Sequence, residues 1–256
     1  MSRAGIDAVT EALLRARASG VPADAAPLAE ALDGAEEAYA VQQRVAEALR
    51  WFGDGAPRHW KSGGPGRDQP LTHAPLPPAG VWASPGDASR WPMHSRLVES
   101  EIALRLGRDV DVPLAASLDL KAARGLVDAM AVSIEIVDSR WLQGLAAPAL
   151  LRLADLASHA ALVLGPWRPF EPRDWSVQAC RLVIGSQPPI ERRGTHSCVD
   201  PAWVLADWLR HATARHGTLP AGTVVTTGTW AGAPAAAAGD RVLLTFDDLG
   251  TAETHF

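Results

Sequence analysis

Cysteine is nearly absent. Cys180 and Cys198 are the only two in 256 residues, and no CxxC or paired Cys/His spacing accompanies them. A disulfide framework or a thiolate zinc site is therefore not expected, and a reducing cytoplasm is the expected location. Lysine is equally scarce, with only Lys61 and Lys121 among 24 basic residues. No Lys/Arg cluster occurs and the formal net charge is −5, so nucleic-acid binding is not expected. Nor is there an apolar run of about 18 residues, so no membrane-spanning helix can form. The stretch "MSRAGIDAVTEALLRARASG" carries Asp7 and Glu11 among its apolar positions. It reads as an amphipathic helix rather than a signal peptide.

What is present points to a globular, β-rich chain. Hydrophobic residues make up 47%, enough for a substantial core in one large or two small domains. Twenty prolines and 22 glycines disfavour a helical bundle, because both are poorly tolerated inside helices. The first 53 residues carry two helical patterns, with Gly20 and Gly53 as stops. The following stretch, rich in Gly, Pro and Asp, reads as turns and short extended pieces. Strand patterns then cover "VESEIALRL" from Val98, 129–141, 178–185, 223–230 and 240–246. Helices are expected over 148–163 and over 200–217, the latter with Asp200 as N-cap and Pro201 at N1. The expected organisation is an N-terminal helical region, 1–55, followed by a β-rich catalytic domain, 56–256.

One strand carries an electrostatic oddity. In "RLVESEIALRLGRD", Glu99 and Glu101 are two residues apart and therefore share a strand face with Ala103 and Arg105. The run "AMAVSIEIVD" repeats the pattern, with Ala131, Ser133 and Glu135 on one face. An acidic strand face of this kind also fits simple solvation. If the three carboxylates converge in the interior instead, their repulsion and desolvation demand a cation. A hard divalent ion such as Mg²⁺ or Mn²⁺ suits an all-oxygen set.

The blocks "VESEIALRLGRDV", "IEIVDSRW", "ADLASHAALVLG", "LPAGTVVTTGTWAG" and "GDRVLLTFDDLG", in that order, carry a family likeness. With "AYAVQ" at 38–42 and "WK" at 60–61, the sequence resembles the 2-keto-4-pentenoate hydratase and 4-oxalocrotonate decarboxylase group of the fumarylacetoacetate hydrolase superfamily. The resemblance spans about residues 35 to 256. It implies an α+β fold, a mixed β-roll with flanking helices. It also implies a homo-oligomer, and a metal-dependent enzyme of aromatic-compound breakdown whose partner is a small-molecule 2-oxo acid. Glu99, Glu101 and Glu135 become the ligands of Mg²⁺ or Mn²⁺. The implied reaction is that of a hydratase (a lyase) acting on a 2-hydroxydienoic or 2-oxo acid through a metal-stabilised enolate. Decarboxylation, C–C bond hydrolysis, or metal-stabilised binding of a small acid without catalysis are the alternatives.

By the same resemblance, Lys61 is placed to meet the substrate carboxylate or its 2-oxo group, and Ser158 supplies a hydroxyl near that carboxylate. An ordinary surface lysine and a helix-packing serine are the plain alternatives. His196 is the preferred histidine among His59, His159 and His196, because its loop could close over a pocket. Thr229 reads first as a strand-end residue, and Asp138 as a structural acid on the opposite face from Glu135. Cys198 has no evident base partner, so no thiol nucleophile is expected. Where the family pattern commonly reads Asp-Asn-Ala-Ser, this chain has Asp155, Leu156, Ala157 and Ser158. The stretch after Lys61 also departs from that pattern.

Overall fold

The computed structural model describes residues 3–256. Two amphipathic helices come first, α1 (Arg3–Ser19) and α2 (Ala35–Ala48). Their apolar stripes meet in a cluster that includes Val9, Leu13, Val41 and Val45 and extends to Trp141 and Leu151. The second helix stops five residues before Gly53, and Arg50 rather than the glycine takes the first left-handed conformation after it.

The rest of the chain builds two curled sheets. In chain order the strands are β1 (His59–Gly63), β2 (Thr72–Pro75), β3 (Val81–Ala83), β4 (Gly86–Asp87) and β5 (Leu97–Leu106). Helices α3 (Val112–Ser117) and α4 (Leu120–Arg124) precede β6 (Val127–Val137). A short α5 (Ala149–Ala154) leads to β7 (His159–Leu164), β8 (Arg168–Pro169), β9 (Ala179–Ile184) and β10 (Ile190–Arg193). Helix α6 (Leu205–His216), β11 (Val224–Thr226), β12 (Arg241–Phe246) and β13 (Gly250–His255) complete the chain.

The larger sheet runs β2-β1-β11-β5-β6-β7-β3, with β8 on β6, and the smaller runs β10-β9-β12-β13-β4. Pairing is antiparallel except for β1 with β11, β3 with β7 and β13 with β4. One apolar cluster joins the sheets, with Ile102, Ile134 and Val163 from the larger and Leu182, Leu244 and Ala252 from the smaller. This is the mixed α+β roll with N-terminal helices that the sequence led us to expect.

Two local expectations need correction. The helix over 148–163 ends at Ala154, and Leu156, Ala157 and Ser158 follow with φ of +53°, +50° and +62°. Its Leu/Ala spacing mimics a helical stripe, yet Ala161, Leu162 and Val163 are buried in the sheet. The strand over 223–230 is likewise shorter, because the chain leaves the ladder after Thr226. Around α6, Asp200 accepts from the Ala202 amide at 2.8 Å and Pro201 opens a 3₁₀ turn before the helix proper.

Candidate metal centre

Register assembles the site. Glu99 lies directly opposite Glu135 in the β5–β6 ladder, and Glu101 lies opposite Ser133. Across β11, Thr226 pairs with Ala103 of β5 on one side and Lys61 of β1 on the other. Residues paired across strands share a face, so Lys61, Thr226, Glu99, Glu101, Ser133 and Glu135 all point the same way. Small side chains at Ala103 and Ala131 leave that face room. On the reverse face Trp60, Ile102 and Ile134 fill the core.

Ligand oxygens of Glu99, Glu101 and Glu135 lie within 4.8 Å of one another. Glu101 and Glu135 are buried and Glu99 is half-buried, so the solvated acidic face that the pattern also allowed does not form. Lys61 Nζ donates to Glu135 Oε1 at 2.5 Å and to the Ala157 carbonyl at 3.2 Å. Thr226 Oγ1 donates to Glu101 and is itself 2.9 Å from Ser133 Oγ. Glu135 Oε2 is buried without a hydrogen-bond partner. A buried, unsatisfied carboxylate oxygen beside two further carboxylates fits a hard cation, and all the donors are oxygen. The three glutamates therefore suit a divalent ion.

Burial dominates the electrostatics. It pushes Glu101 up to about 8, with help from repulsion by Glu135 and Glu99. Glu99 is pushed up to about 7 by burial, against the pull of Lys61. Burial also acts to raise Glu135, but Lys61 and His159 outweigh it and hold that carboxyl below its ordinary value. The ammonium of Lys61 is opposed by its burial, yet the three glutamates hold it above its ordinary value. Lys61 and Glu135 thus form a charged pair, while burial favours the protonated form of Glu101, and in part of Glu99, near neutrality.

His159 reaches the same cluster through a bulge. In the β6–β7 ladder Ile136 pairs with Ala161 but Val137 pairs with His159, so Ala160 is the extra residue. That insertion turns His159 onto the glutamate face. Its Nδ1 lies 3.0 Å from Glu135 Oε1, and its Nε2 is buried without a partner. Desolvation holds the imidazole below its ordinary value, so the neutral ring donates Nδ1–H to the carboxylate.

The turn before β7 is the other unusual element. Three consecutive non-glycine residues in the left-handed region cost roughly 1–3 kcal/mol each and persist only where the surroundings fix them. Asp155 supplies that fixing. Its carboxylate accepts from the Arg140 amide at 2.9 Å, Arg140 Nε at 2.6 Å and Arg17 Nη2 at 3.1 Å. The turn aims the Ala157 carbonyl at Lys61 and buries Ser158, whose Oγ has no partner. Leu156, where the family pattern has an asparagine, occupies a conformation that asparagine tolerates better.

The remaining candidates sit elsewhere. His196 donates through Nε2 to the Thr227 carbonyl, 2.7 Å away, accepts at Nδ1 from the Cys198 amide, and packs on Trp230. None of its hydrogen bonds reaches the glutamates, and burial lowers it to about 4. Thr229 donates to the Gly232 carbonyl, and Thr226 is instead the hydroxyl that meets Glu101. Asp138 accepts from the amides of His94 and Ser95, at 3.0 and 2.8 Å, and so anchors a loop. Cys198 is buried in the same loop as His196.

Residues 52–256 match the family model for the C-terminal domain of fumarylacetoacetate (FAA) hydrolase. The chain belongs to the FAA hydrolase family. No match is found among curated protein sequences. Among solved structures, this FAA hydrolase family member resembles 4-oxalocrotonate decarboxylase from Pseudomonas putida G7 in two forms. One is complexed with calcium and acetate (TM-score 0.82) and the other with magnesium and adipate (TM-score 0.84). Each is 18% identical and is aligned over 100% of this chain and 98% of its own. The 2-hydroxyhepta-2,4-diene-1,7-dioate isomerase of Mycobacterium marinum is 15% identical, with TM-score 0.55 over 78% of this chain and 74% of its own. These likenesses establish the fold. Among the described residues, no helix is long and apolar enough to cross a membrane.

Proposed function

We propose that this FAA hydrolase family member is a Mg²⁺- or Mn²⁺-dependent lyase, a hydratase of a 2-hydroxydienoic or 2-oxo acid. The observation that carries this reading is the buried Glu99–Glu101–Glu135 cluster with an unsatisfied oxygen and a lysine beside it. A divalent ion held there supplies Lewis acidity toward a 2-oxo oxygen and so favours loss of a proton from the neighbouring carbon. The chain's own groups supply the rest. Among the described residues Lys61 offers the one ammonium on this face, placed to meet the substrate's carboxylate once a ligand competes for it with Glu135. Ser158 Oγ, buried and unpartnered, is a donor ready for a carboxylate oxygen. His159 fixes the orientation of Glu135 through its Nδ1–H.

Decarboxylation is the second reading, favoured by the whole-chain likeness to 4-oxalocrotonate decarboxylase. The two reactions leave different products. Incubation with 2-hydroxypenta-2,4-dienoate and Mg²⁺ is expected to yield a 4-hydroxy-2-oxo acid. Release of CO₂ from 4-oxalocrotonate, with no hydration of the dienoate, would replace the hydratase reading by the decarboxylase one. Turnover of neither acid would leave the lyase reading without support.

Metal binding carries a pH signature. Glu99 and Glu101, raised to about 7 and about 8, must release protons to become ligands. Apparent affinity for Mg²⁺ or Mn²⁺ is therefore expected to rise by roughly two to three orders of magnitude between about pH 6 and 8, with nearly two protons displaced per ion at the acid end and fewer than one at the alkaline end. Calorimetric titration in two buffers of different ionisation heat counts those protons directly. A pH-independent affinity across this window would contradict the assignment.

A further inference from the structure

A cavity of about 820 Å³ opens between the N-terminal helices and the roll. Its apolar wall includes Trp51, Trp91, Met93 and Leu156, and its polar wall carries Arg17, Arg50, Arg140 and Asp138. Neither Lys61 nor any of the three glutamates lines it; His159 is the residue it shares with the metal centre.

The charges on this wall do not balance internally. Asp155, fully buried behind it, already serves both Arg17 and Arg140. The Asp138 carboxylate is occupied by the His94 amide, the Ser95 amide and, at 2.9 Å, the Ser95 hydroxyl. Arg50 has no carboxylate partner among the described residues. Three guanidiniums thus face two carboxylates whose oxygens are taken. Arg17 shows the strain of this arrangement. Burial and then repulsion from Arg140 lower it to about 10, and its Nε is buried without a partner. Its guanidinium carbon lies 4.9 Å from the centroid of the Trp51 ring, so charge and aromatic surface meet in the cavity wall.

We propose that this cavity is a second small-molecule site, distinct from the carboxylate centre, that takes an arylalkyl monocarboxylate. The carboxylate would lie against Arg17 and Arg50, completing a charge set that the protein leaves one anion short. The aryl body would lie against the apolar wall that Trp51, Trp91 and Met93 contribute, and the volume lies within the range of small-molecule pockets, about 300–1,000 Å³.

The test uses 3-phenylpropanoate and its neutral amide, followed by calorimetry and tryptophan fluorescence. Saturable binding of the acid, with the amide at least about tenfold weaker, is the expected result, because a hydrogen-bonded charge pair is lost. Arg17→Met should weaken the acid by about tenfold or more, and the exposed Arg50→Met gives the same reading should Arg17→Met fail to fold. Glu101→Gln should leave this affinity within about twofold, since the two sites share no charged ligand contact. Absence of binding, equal binding of acid and amide, or loss of binding in Glu101→Gln would each overturn the proposal. The last outcome would place the acid at the metal centre, and it separates failure of this inference from failure of the lyase reading.

Discussion

Glu101→Gln is expected to weaken Mg²⁺ or Mn²⁺ binding by more than about 100-fold and to abolish turnover, since loss of a direct ligand exceeds the usual effect of a supporting group. The fold should survive the change. Glutamine keeps the shape of the side chain and can still accept from Thr226 Oγ1, which donates to Glu101 in the wild type. Stability of the metal-free protein should then rise at alkaline pH. Glu101 titrates at about 8 in the folded chain against an ordinary value of 4.5. A carboxyl with a raised folded pKa stabilises the fold fully below its unfolded pKa, and that contribution is lost as pH rises through the folded pKa. Glutamine does not titrate. Above about pH 7 the metal-free variant should therefore melt at a higher temperature than the metal-free wild type, and the gap should close toward about pH 5. Undiminished metal affinity in the variant would remove Glu101 from the centre.

Lys61→Ala is expected to separate catalysis from metal binding. Loss of a positioned cationic donor costs roughly 10²–10³ in turnover at sites of this type. Metal affinity should hold or increase, because Lys61 Nζ occupies the Glu135 oxygen Oε1 and competes with a cation for it. Parallel metal titrations and steady-state kinetics distinguish these effects, and Lys61→Met controls for lost packing volume. Equal losses in affinity and turnover would mean that Lys61 serves only to hold Glu135 in place.

The strand faces were legible in the sequence because period-two alternation places side chains without knowledge of partners. Glu99, Glu101 and Glu135 could be grouped on that basis, as could the reverse faces that form the core. What alternation cannot show is which strands become neighbours. The parallel pairing of β1 with β11 brings Lys61 beside Thr226, across 165 residues of chain, and no local pattern encodes it. The bulge at Ala160 is equally silent, yet it decides that His159 rather than Ala160 faces Glu135. Around 148–163, the Leu/Ala spacing predicted a continuous helix while the tertiary fold imposed a turn and a buried strand. The physical reason is Asp155, whose bonds to Arg140 and Arg17 hold a left-handed backbone that local propensity disfavours. Thr226 could have been singled out over Thr229 only with the β5–β11 register in hand.

The same pairing sets the order in which the protein can acquire its chemistry. Strand β1 is made early, but its partner β11 lies near the end of the chain, and β11 in turn separates β1 from the glutamate strands. During synthesis, Glu99, Glu101 and Glu135 can come together in the antiparallel β5–β6 pair while Lys61, on β1 paired only with β2, still lacks the β11 strand that seats it beside them. A nascent chain at that stage holds three acids without their counter-charge, and an unpaired β5 edge. Such high-contact-order closure is slow and exposes sheet edges while it waits. Early capture of a divalent ion by the β5–β6 pair would neutralise the acids and give the unfinished roll a fixed point around which to close.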